Sequence, residues 1–273
     1  MENVKKQILL TNDDGILSPG LWAAASVLAE LGFVTVVAPR EQFSGSGRSF
    51  PHGSDGIIEK KQVQVNGQEW VVHAVGGSPA QAVLHGVLEV LPHPPDLVVS
   101  GINFGENIGT GITASGTVGA ALEAASIGIP ALAASLETPI EHHFSLSEEI
   151  DFSTAAHFTQ YFARILLTQK MPDDVDLLKL DVPFKATIDT PWEITKISRV
   201  RIFEAIPPQR EEWSEPGQVG YTFRSDLESV EPGTDTHTLR IKKAISVTPL
   251  SLDLTSRVDL KKLERKLQSA KSM

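Results

Sequence analysis

The sequence contains no cysteine. That excludes disulfides, thiolate nucleophiles, zinc fingers and iron–sulfur clusters. No apolar run approaches the roughly 18 residues of a membrane span. Basic side chains are in deficit, 24 Lys and Arg against 34 Asp and Glu, for a net charge of −10. A duplex nucleic-acid binder usually presents a basic face, so that class is disfavoured. A small anionic substrate is not, because one metal ion reverses the local field. There is no G-x-x-x-x-G-K-[ST], no G-x-G-x-x-G after the first strand, no G-x-S-x-G and no H-E-x-x-H. These absences argue against a Walker-type phosphate loop, dinucleotide binding, a serine-hydrolase elbow and zincin chemistry. Internal repeats and low-complexity tracts are also missing. The opening Met1-Glu2-Asn3-Val4-Lys5-Lys6 does not read as a signal peptide, so the expected location is the cytoplasm, away from membranes. What is present is ordinary: 273 residues, 41% hydrophobic and 21% charged. A chain of this size can bury a substantial core without staples.

Residues 7–11 (QILLT) read as a buried strand that stops at Asn12-Asp13-Asp14-Gly15. Ser18-Pro19 reads as a helix N-cap followed by proline at the first helical position. Leu21, Ala24, Ala25, Leu28 and Leu31 keep helical spacing until Gly32, and residues 33–38 (FVTVVA) give a second strand. This strand–helix–strand opening predicts a doubly wound parallel sheet. Residues 40–56 read as a loop. Residues 63–75 alternate around Asn66-Gly67, a hairpin signal. Ser78-Pro79 opens a helix to about residue 91, and 96–100 (DLVVS) is a third core strand. Residues 101–119 carry six glycines. A helix over 117–127, a strand over 130–135, a helix over 152–167 and a strand over 175–182 follow. Beyond residue 183 the texture changes. Residues 192–206 alternate as β structure, and 204–235 are rich in Pro and Gly, with eight acidic residues against two arginines. That stretch reads as an extended arm. A strand over 239–248 and a basic helix over 260–267 end the chain. The expected layout is an α/β core over 1–185, a β-rich extension and oligomerisation arm over 186–250, and a helical tail over 251–273.

Three polar loops follow three core strands, and such loops converge on one crevice in an open parallel sheet. Asp13 and Asp14 are adjacent carboxylates at a strand end; they repel, and a cation relieves the cost. A solvated Asp-Gly turn explains the same residues. Ser44 is a weak but acceptable ligand for a hard cation, or an ordinary loop serine. Asn103 and Asn107 offer amide oxygens to such a cation and amide N–H groups to phosphate, or simply shape a turn. Ser115, Gly116 and Thr117 lie where a loop enters a helix. Free backbone N–H groups there form an anion site, though a plain N-cap needs only one hydroxyl. His142-His143 reads as an exposed loop pair.

Taken together, four segments resemble the SurE survival proteins, a family of 5′/3′-nucleotidases. They are Ile8 to Gly15 (ILLTNDDG), Val37-Ala38-Pro39 with Ser44-Gly45, Val98 to Asn103 (VVSGIN) with Gly105-Glu106-Asn107, and Ser115-Gly116-Thr117-Val118 with Ala121-Leu122-Glu123. The likeness covers the first 135 residues and returns at Val182-Pro183 and at Ser246 to Leu250. The sequence departs from the family pattern at Ala114, where tyrosine is frequent, and over 51–61.

The resemblance implies a Rossmann-like three-layer fold, a mostly parallel sheet and one divalent cation per subunit, Mg²⁺ or Mn²⁺. Asp13, Asp14, Ser44 and Asn103 match the family's metal ligands. Asn107, Ser115, Gly116 and Thr117 match its phosphate pocket. The implied activity is hydrolysis of nucleoside 5′- and 3′-monophosphates. Asp13, Asp14 and Asn107 are the expected catalytic set, and direct attack of water is preferred to a covalent phosphoenzyme. An exopolyphosphatase using the same site and a catalytically silent nucleotide-binding protein are the alternatives. The family implies a homodimer or homotetramer. The arm, with Phe203, Trp213, Tyr221, Phe223 and Leu227, is expected to bury its apolar groups on a neighbouring subunit.

Overall fold

The computed structural model describes residues 5–65, 67–143 and 145–270. Residues 1–4 of the opening segment and Asn66 of the hairpin turn lie outside the described residues. The chain begins with β1 (Lys6–Thr11), α1 (Pro19–Leu28) and β2 (Gly32–Pro39). The hairpin β3 (Ile58–Val65) and β4 (Gln68–Val75) follows, then α2 (Pro79–His85) and β5 (Leu97–Phe104). Next come α3 (Gly116–Ser126), β6 (Ala131–Leu136), α4 (Ser153–Thr168) and β7 (Leu177–Val182). Short strands β8 (Trp192–Ile194), β9 (Phe203–Ile206) and β10 (Gly220–Phe223) precede β11 (Ile245–Leu250) and α5 (Leu260–Ser269).

Nine strands form one sheet in the order β3-β4-β2-β1-β5-β6-β7-β11-β8. The run from β4 to β7 is parallel throughout. β3 and β11 join it antiparallel, on β4 and β7 respectively. The chain builds outward from β1 in one direction, then returns to β5 and builds in the other. The order therefore reverses between β1 and β5, where open α/β sheets bind ligands. Alternation along the strands divides the core between two faces. Ile8 and Leu10 pack with α1 and α4, including Trp22 and Phe158, while Leu9 packs with α2 and α3, including Val83 and Val118. The result is the expected three-layer α/β sandwich.

Local signals explain the helix starts. Ser78 and Gln81 form a reciprocal capping box at α2. Ser18 takes the N-cap position of α1 without a side-chain capping bond, and Pro19 supplies the preset φ. Three expectations need correction. The helix read to residue 91 ends at His85 and continues as a wider π turn over Gly86–Val90. The strand read over 239–248 starts only at Ile245; His237–Ile241 is a helical turn, and Lys243 at φ +54° redirects the chain. The third core strand does not stop at residue 100. It runs on through Gly101 to Phe104, so Asn103 sits on a strand rather than in a loop. Gly101 allows this, at φ +128°, where a Cβ would lie 2.2 Å from the Ala134 carbonyl oxygen.

β8 and β11 belong to the main sheet, which therefore continues across residue 185 into the extension. Among the described residues only β9 and β10 stand apart, as a two-stranded antiparallel hairpin. Among the described residues no helix is long and apolar enough to cross a membrane.

The start of α1 lies directly on the part of β5 that carries Asn103. A Cβ at Gly20 would fall 2.0 Å from the Ile102 carbonyl oxygen and 2.9 Å from the Phe152 ring. Gly20→Ala is therefore expected to destabilise the protein by about 1–3 kcal/mol, the usual range for overpacking. A denaturant midpoint equal to the parent's would show that α1 can shift away at no cost.

Candidate functional site

β1 delivers Asp13 and Asp14 to the switch point, and both are buried, at 4% and 2% exposure. A turn holds them there: Asn12 Nδ2 donates to the Gly15 carbonyl at 3.0 Å, and Gly15 has φ +94°. Asp14 accepts from the Phe104 N–H and from Gln42 Nε2, each at 3.1 Å. The Thr117 hydroxyl donates to Asp13, whose carboxylate also faces the N–H groups of Gly116 and Thr117 at the start of α3. Burial raises the Asp13 carboxyl above its ordinary range, against those hydrogen bonds. Burial raises Asp14 further, reinforced by the neighbouring Asp13 charge.

The other nominated residues converge on the same place. The Phe43 N–H donates to the Asp13 carbonyl at 2.7 Å and the Gly47 N–H to Ala114 at 2.9 Å. These bonds dock the serine-glycine loop and leave Ser44 exposed at the cavity mouth. Asn103 Nδ2 donates to the carbonyls of Phe104 and Gly105, at 3.2 and 2.7 Å. Its orientation is thus fixed by the backbone, with Oδ1 left as acceptor. Asn107 Nδ2 donates to Ser135 Oγ at 2.9 Å. Ser115 Oγ caps α3 by accepting from Val118 N–H at 3.1 Å.

Asp13, Ser44, Asn103, Asn107 and Ser115 line one cavity of about 750 Å³. Asp14, Gly116 and Thr117 do not line it. Asp14 supports the floor from behind. Gly116 and Thr117, expected at a phosphate pocket, direct their donors at Asp13 instead. Among the described residues no group of three or more His, Cys, Asp or Glu side chains is placed to hold a metal ion. The donor set is two carboxylates with neutral oxygens. It fits a hard divalent cation, because among the described residues no basic side chain pairs with the two buried like charges and the Asn103 amide hydrogens are used by the backbone, leaving Oδ1 as acceptor.

Several residues of the cavity were not anticipated. His143 is buried rather than exposed, and lines the wall. Its Nε2 faces the Thr138 carbonyl at 3.3 Å, so Nε2 carries hydrogen and Nδ1 accepts from the Tyr221 hydroxyl at 3.0 Å. Burial lowers its pKa and keeps the ring neutral. Arg201, Phe203 and Tyr221 of the extension line the cavity beside it. Behind Asn107 lies a fully buried ion cluster. The Lys179 ammonium contacts Asp181 and lies 3.5 Å from Asp235. Asp181 accepts from the Asn107 N–H at 2.8 Å and Asp235 from the Gly109 N–H at 3.0 Å. One signal was available in advance: Lys179 and Asp181 interrupt the apolar LLKLDV strand two residues apart, on one face.

Of the arm's five apolar groups, Phe203, Tyr221 and Phe223 pack around His143 of the same chain. Leu227 packs with Phe203 and Phe223 against Ile108, Ile202 and Leu239, and of the five only Trp213, 96% exposed, lacks cover.

A doubly wound α/β protein with an acidic, oxygen-lined cleft at the switch point is thereby defined. The model of the family described as Survival protein SurE matches residues 8–204. A protein of Thermococcus gammatolerans named 5′-nucleotidase SurE is 42% identical over 263 residues, 96% of either chain. One of the same name from Archaeoglobus fulgidus is 43% identical over 256 residues, 93% of this chain and 94% of that one. The crystal structure of SurE protein from Aquifex aeolicus superposes with a TM-score of 0.73 at 29% identity, covering 97% of this chain and 99% of that one. The chain belongs to the SurE family.

Glu106 makes a separate demand on the site. It is buried beside Arg240, which lies 3.4 Å away and is shared with Glu137 at 2.6 Å. Burial pushes its carboxyl to about 7, against the opposing Arg240 charge and with help from Glu137 and Asp181. The folded state thus holds this proton more tightly than the unfolded state, so stability falls as pH rises from about 4.5 to about 7. Glu106→Gln is expected to remove that slope. It should be the more stable protein at pH 8, by on the order of 3 kcal/mol, and about equal at pH 4. Parallel urea melts across that range check this; identical slopes would contradict it.

Proposed function

We propose that the protein is a divalent-metal-dependent phosphomonoesterase that hydrolyses nucleoside 5′-monophosphates, and 3′-monophosphates at the same site. The observation carrying this reading is the pair of adjacent buried carboxylates at the switch point, Asp13 opening with Asn103 onto the cavity and Asp14 directly behind it. The relatives named 5′-nucleotidase SurE support the substrate class. Asp13, Asp14, Ser44 and Asn103 would hold Mg²⁺ or Mn²⁺. The chemistry such a cation supplies is polarisation of a phosphoryl oxygen and activation of water near neutral pH.

The chain's own groups do the rest. Asn107 offers its remaining amide hydrogen to a phosphoryl oxygen, with the side chain steadied by Ser135. Ser115 adds a hydroxyl at the positive end of α3. Asp13, held by Thr117, would orient the attacking water for direct displacement.

Assembly is part of the same reading. α5 is exposed along its whole length, with Leu260, Leu263 and Leu267 on one side and Lys261, Lys262, Arg265 and Lys266 among its other residues. A ten-residue helix is marginal alone in water. Its basic residues suit a second copy of this acidic chain, so we place the homo-oligomer contact on α5 rather than on the arm. Removing residues 256–273 is expected to lower the mass in light scattering at micromolar concentration. A full-length protein that is already monomeric there would refute the assembly.

Asp13→Asn and Asp14→Asn are each expected to reduce phosphate release from AMP at least on the order of 100-fold, the scale set by loss of one electrostatic stabiliser. The fold should survive, because removing a buried like charge offsets the amide N–H₂ now set against Phe104 N–H or the α3 donors. EDTA should abolish activity of the parent, and added Mn²⁺ or Mg²⁺ should restore it. Normal turnover by both variants at saturating metal would reject the proposed metal site. Phosphate release from no substrate under any metal would leave a silent nucleotide-binding protein.

A further inference from the structure

The cavity has two unlike ends. Asp13, Asn103, Asn107 and Ser115 come from strand ends and loops of the main sheet. The facing wall comes from the separate β9–β10 hairpin and the residues beside it. There, Phe203 and Tyr221 stand at 90° with centroids 5.5 Å apart. Tyr221 stacks on the His143 ring at 6.1 Å and 29°. Phe223 backs the group, with the Arg240 guanidinium 4.3 Å over its ring. A phosphoryl group and a cation need none of this wall. A cavity of about 750 Å³ instead falls in the range, roughly 300–1,000 Å³, that encloses an organic ligand of substantial size.

Two side-chain donors of the wall are already engaged. The Tyr221 hydroxyl donates to His143, and Arg201 Nε donates to the Phe203 carbonyl at 2.9 Å. Arg201 keeps its terminal nitrogens, which can sit against a ring face or a ribose oxygen. The wall therefore offers ring surface and little hydrogen-bond readout of a base edge. Every nucleobase has a π face, so such a surface accepts purines and pyrimidines alike.

We propose that the β9–β10 wall is the subsite for the leaving group, where Phe203 and Tyr221 hold the nucleobase by stacking and do not select its identity. This rests on the phosphomonoesterase reading for its location but not for its test. Phe203 is the contact that acts, since it lines the cavity and its ring is turned against Tyr221. The scissile ester then lies between the hairpin and the Asp13 end. The extension thus supplies binding while the main sheet supplies chemistry.

The test compares AMP, GMP, CMP and UMP with ribose 5-phosphate, which lacks the base. For the parent, kcat/KM is expected to be roughly 10- to 100-fold higher for all four nucleotides than for ribose 5-phosphate. Phe203→Ala and Phe203→Leu should collapse that ratio to within a few-fold, mainly through KM, and Phe203→Trp should restore it. The leucine variant keeps apolar volume and so separates loss of the ring from loss of the fold. Binding of adenosine alone, by calorimetry, reads the subsite without turnover; parent binding should weaken at least about tenfold in Phe203→Leu. Adenosine binding that survives with no phosphate release from any substrate would sink the phosphatase reading and keep the subsite. Turnover with an unchanged ratio in Phe203→Leu, or with a strong preference among the four bases in the parent, would overturn the subsite and keep the chemistry.

Discussion

One ammonium group without exposed surface, that of Lys179, holds the site to the sheet. It sits between two carboxylates, Asp181 and Asp235, that are equally buried. Three buried charges are tolerated only because each carboxylate also accepts backbone N–H groups. Asp181 takes Asn107; Asp235 takes Gly109, Ser198 and Thr236. The cluster therefore ties the end of β7, the segment carrying Asn107, and a corner of the extension into one rigid unit. Losing the lysine alone would strand two like charges, a change that commonly costs about 3–5 kcal/mol. The geometry of Asn107 depends on a group that never touches the cavity.

The second constraint is electrostatic. Asp13 and Asp14 are adjacent, buried and mutually repelling, yet the sheet needs neither charge for its packing. The structure offsets the cost by spending the start of α3 on Asp13 and the Phe104 N–H and Gln42 on Asp14. A helix N-terminus that would suit a free anion is thus directed at a carboxylate of the chain itself. That arrangement keeps Asp13 oriented and its charge at the cavity surface. It explains why Thr117, two residues beyond the cavity lining at Ser115, matters to the site at all.

Much of the core was legible because its signals are local. Ser78 and Ser115 both cap helices where a short-range rule puts them. The apolar runs of β1, β2, β6 and β7 read correctly as parallel strands, and their order follows from chain connectivity. The errors fall where distant contacts overrule such rules. The Gly101 step looked like the start of a loop, but the close approach of β6 makes it part of β5. His143 sits in a polar stretch next to another histidine, and only the fold brings Tyr221, 78 residues away, against it. Lys242 and Lys243 gave no warning of the left-handed residue that delays β11. The arm's rings were visible, but what covers them depends on the path of the chain.

That path has a physical consequence for the cavity. A two-stranded hairpin is marginally stable by itself. β9 and β10 are separate from the main sheet, so their position rests on the aromatic cluster and on the packing of Phe203 and Phe223 against Ile108, Ile202 and Leu239. His143 is central to that cluster because it is anchored on the core side by Thr138 and presents a neutral ring to three aromatic neighbours. Gln42 donates to the His143 carbonyl at 2.9 Å and to Asp14 as well. A single glutamine therefore connects the carboxylate floor to the residue that seats the hairpin. The two ends of the cavity come from different sheets, yet their separation is set by side chains that touch both, which is how a chain with so polar an arm can still present a defined cleft.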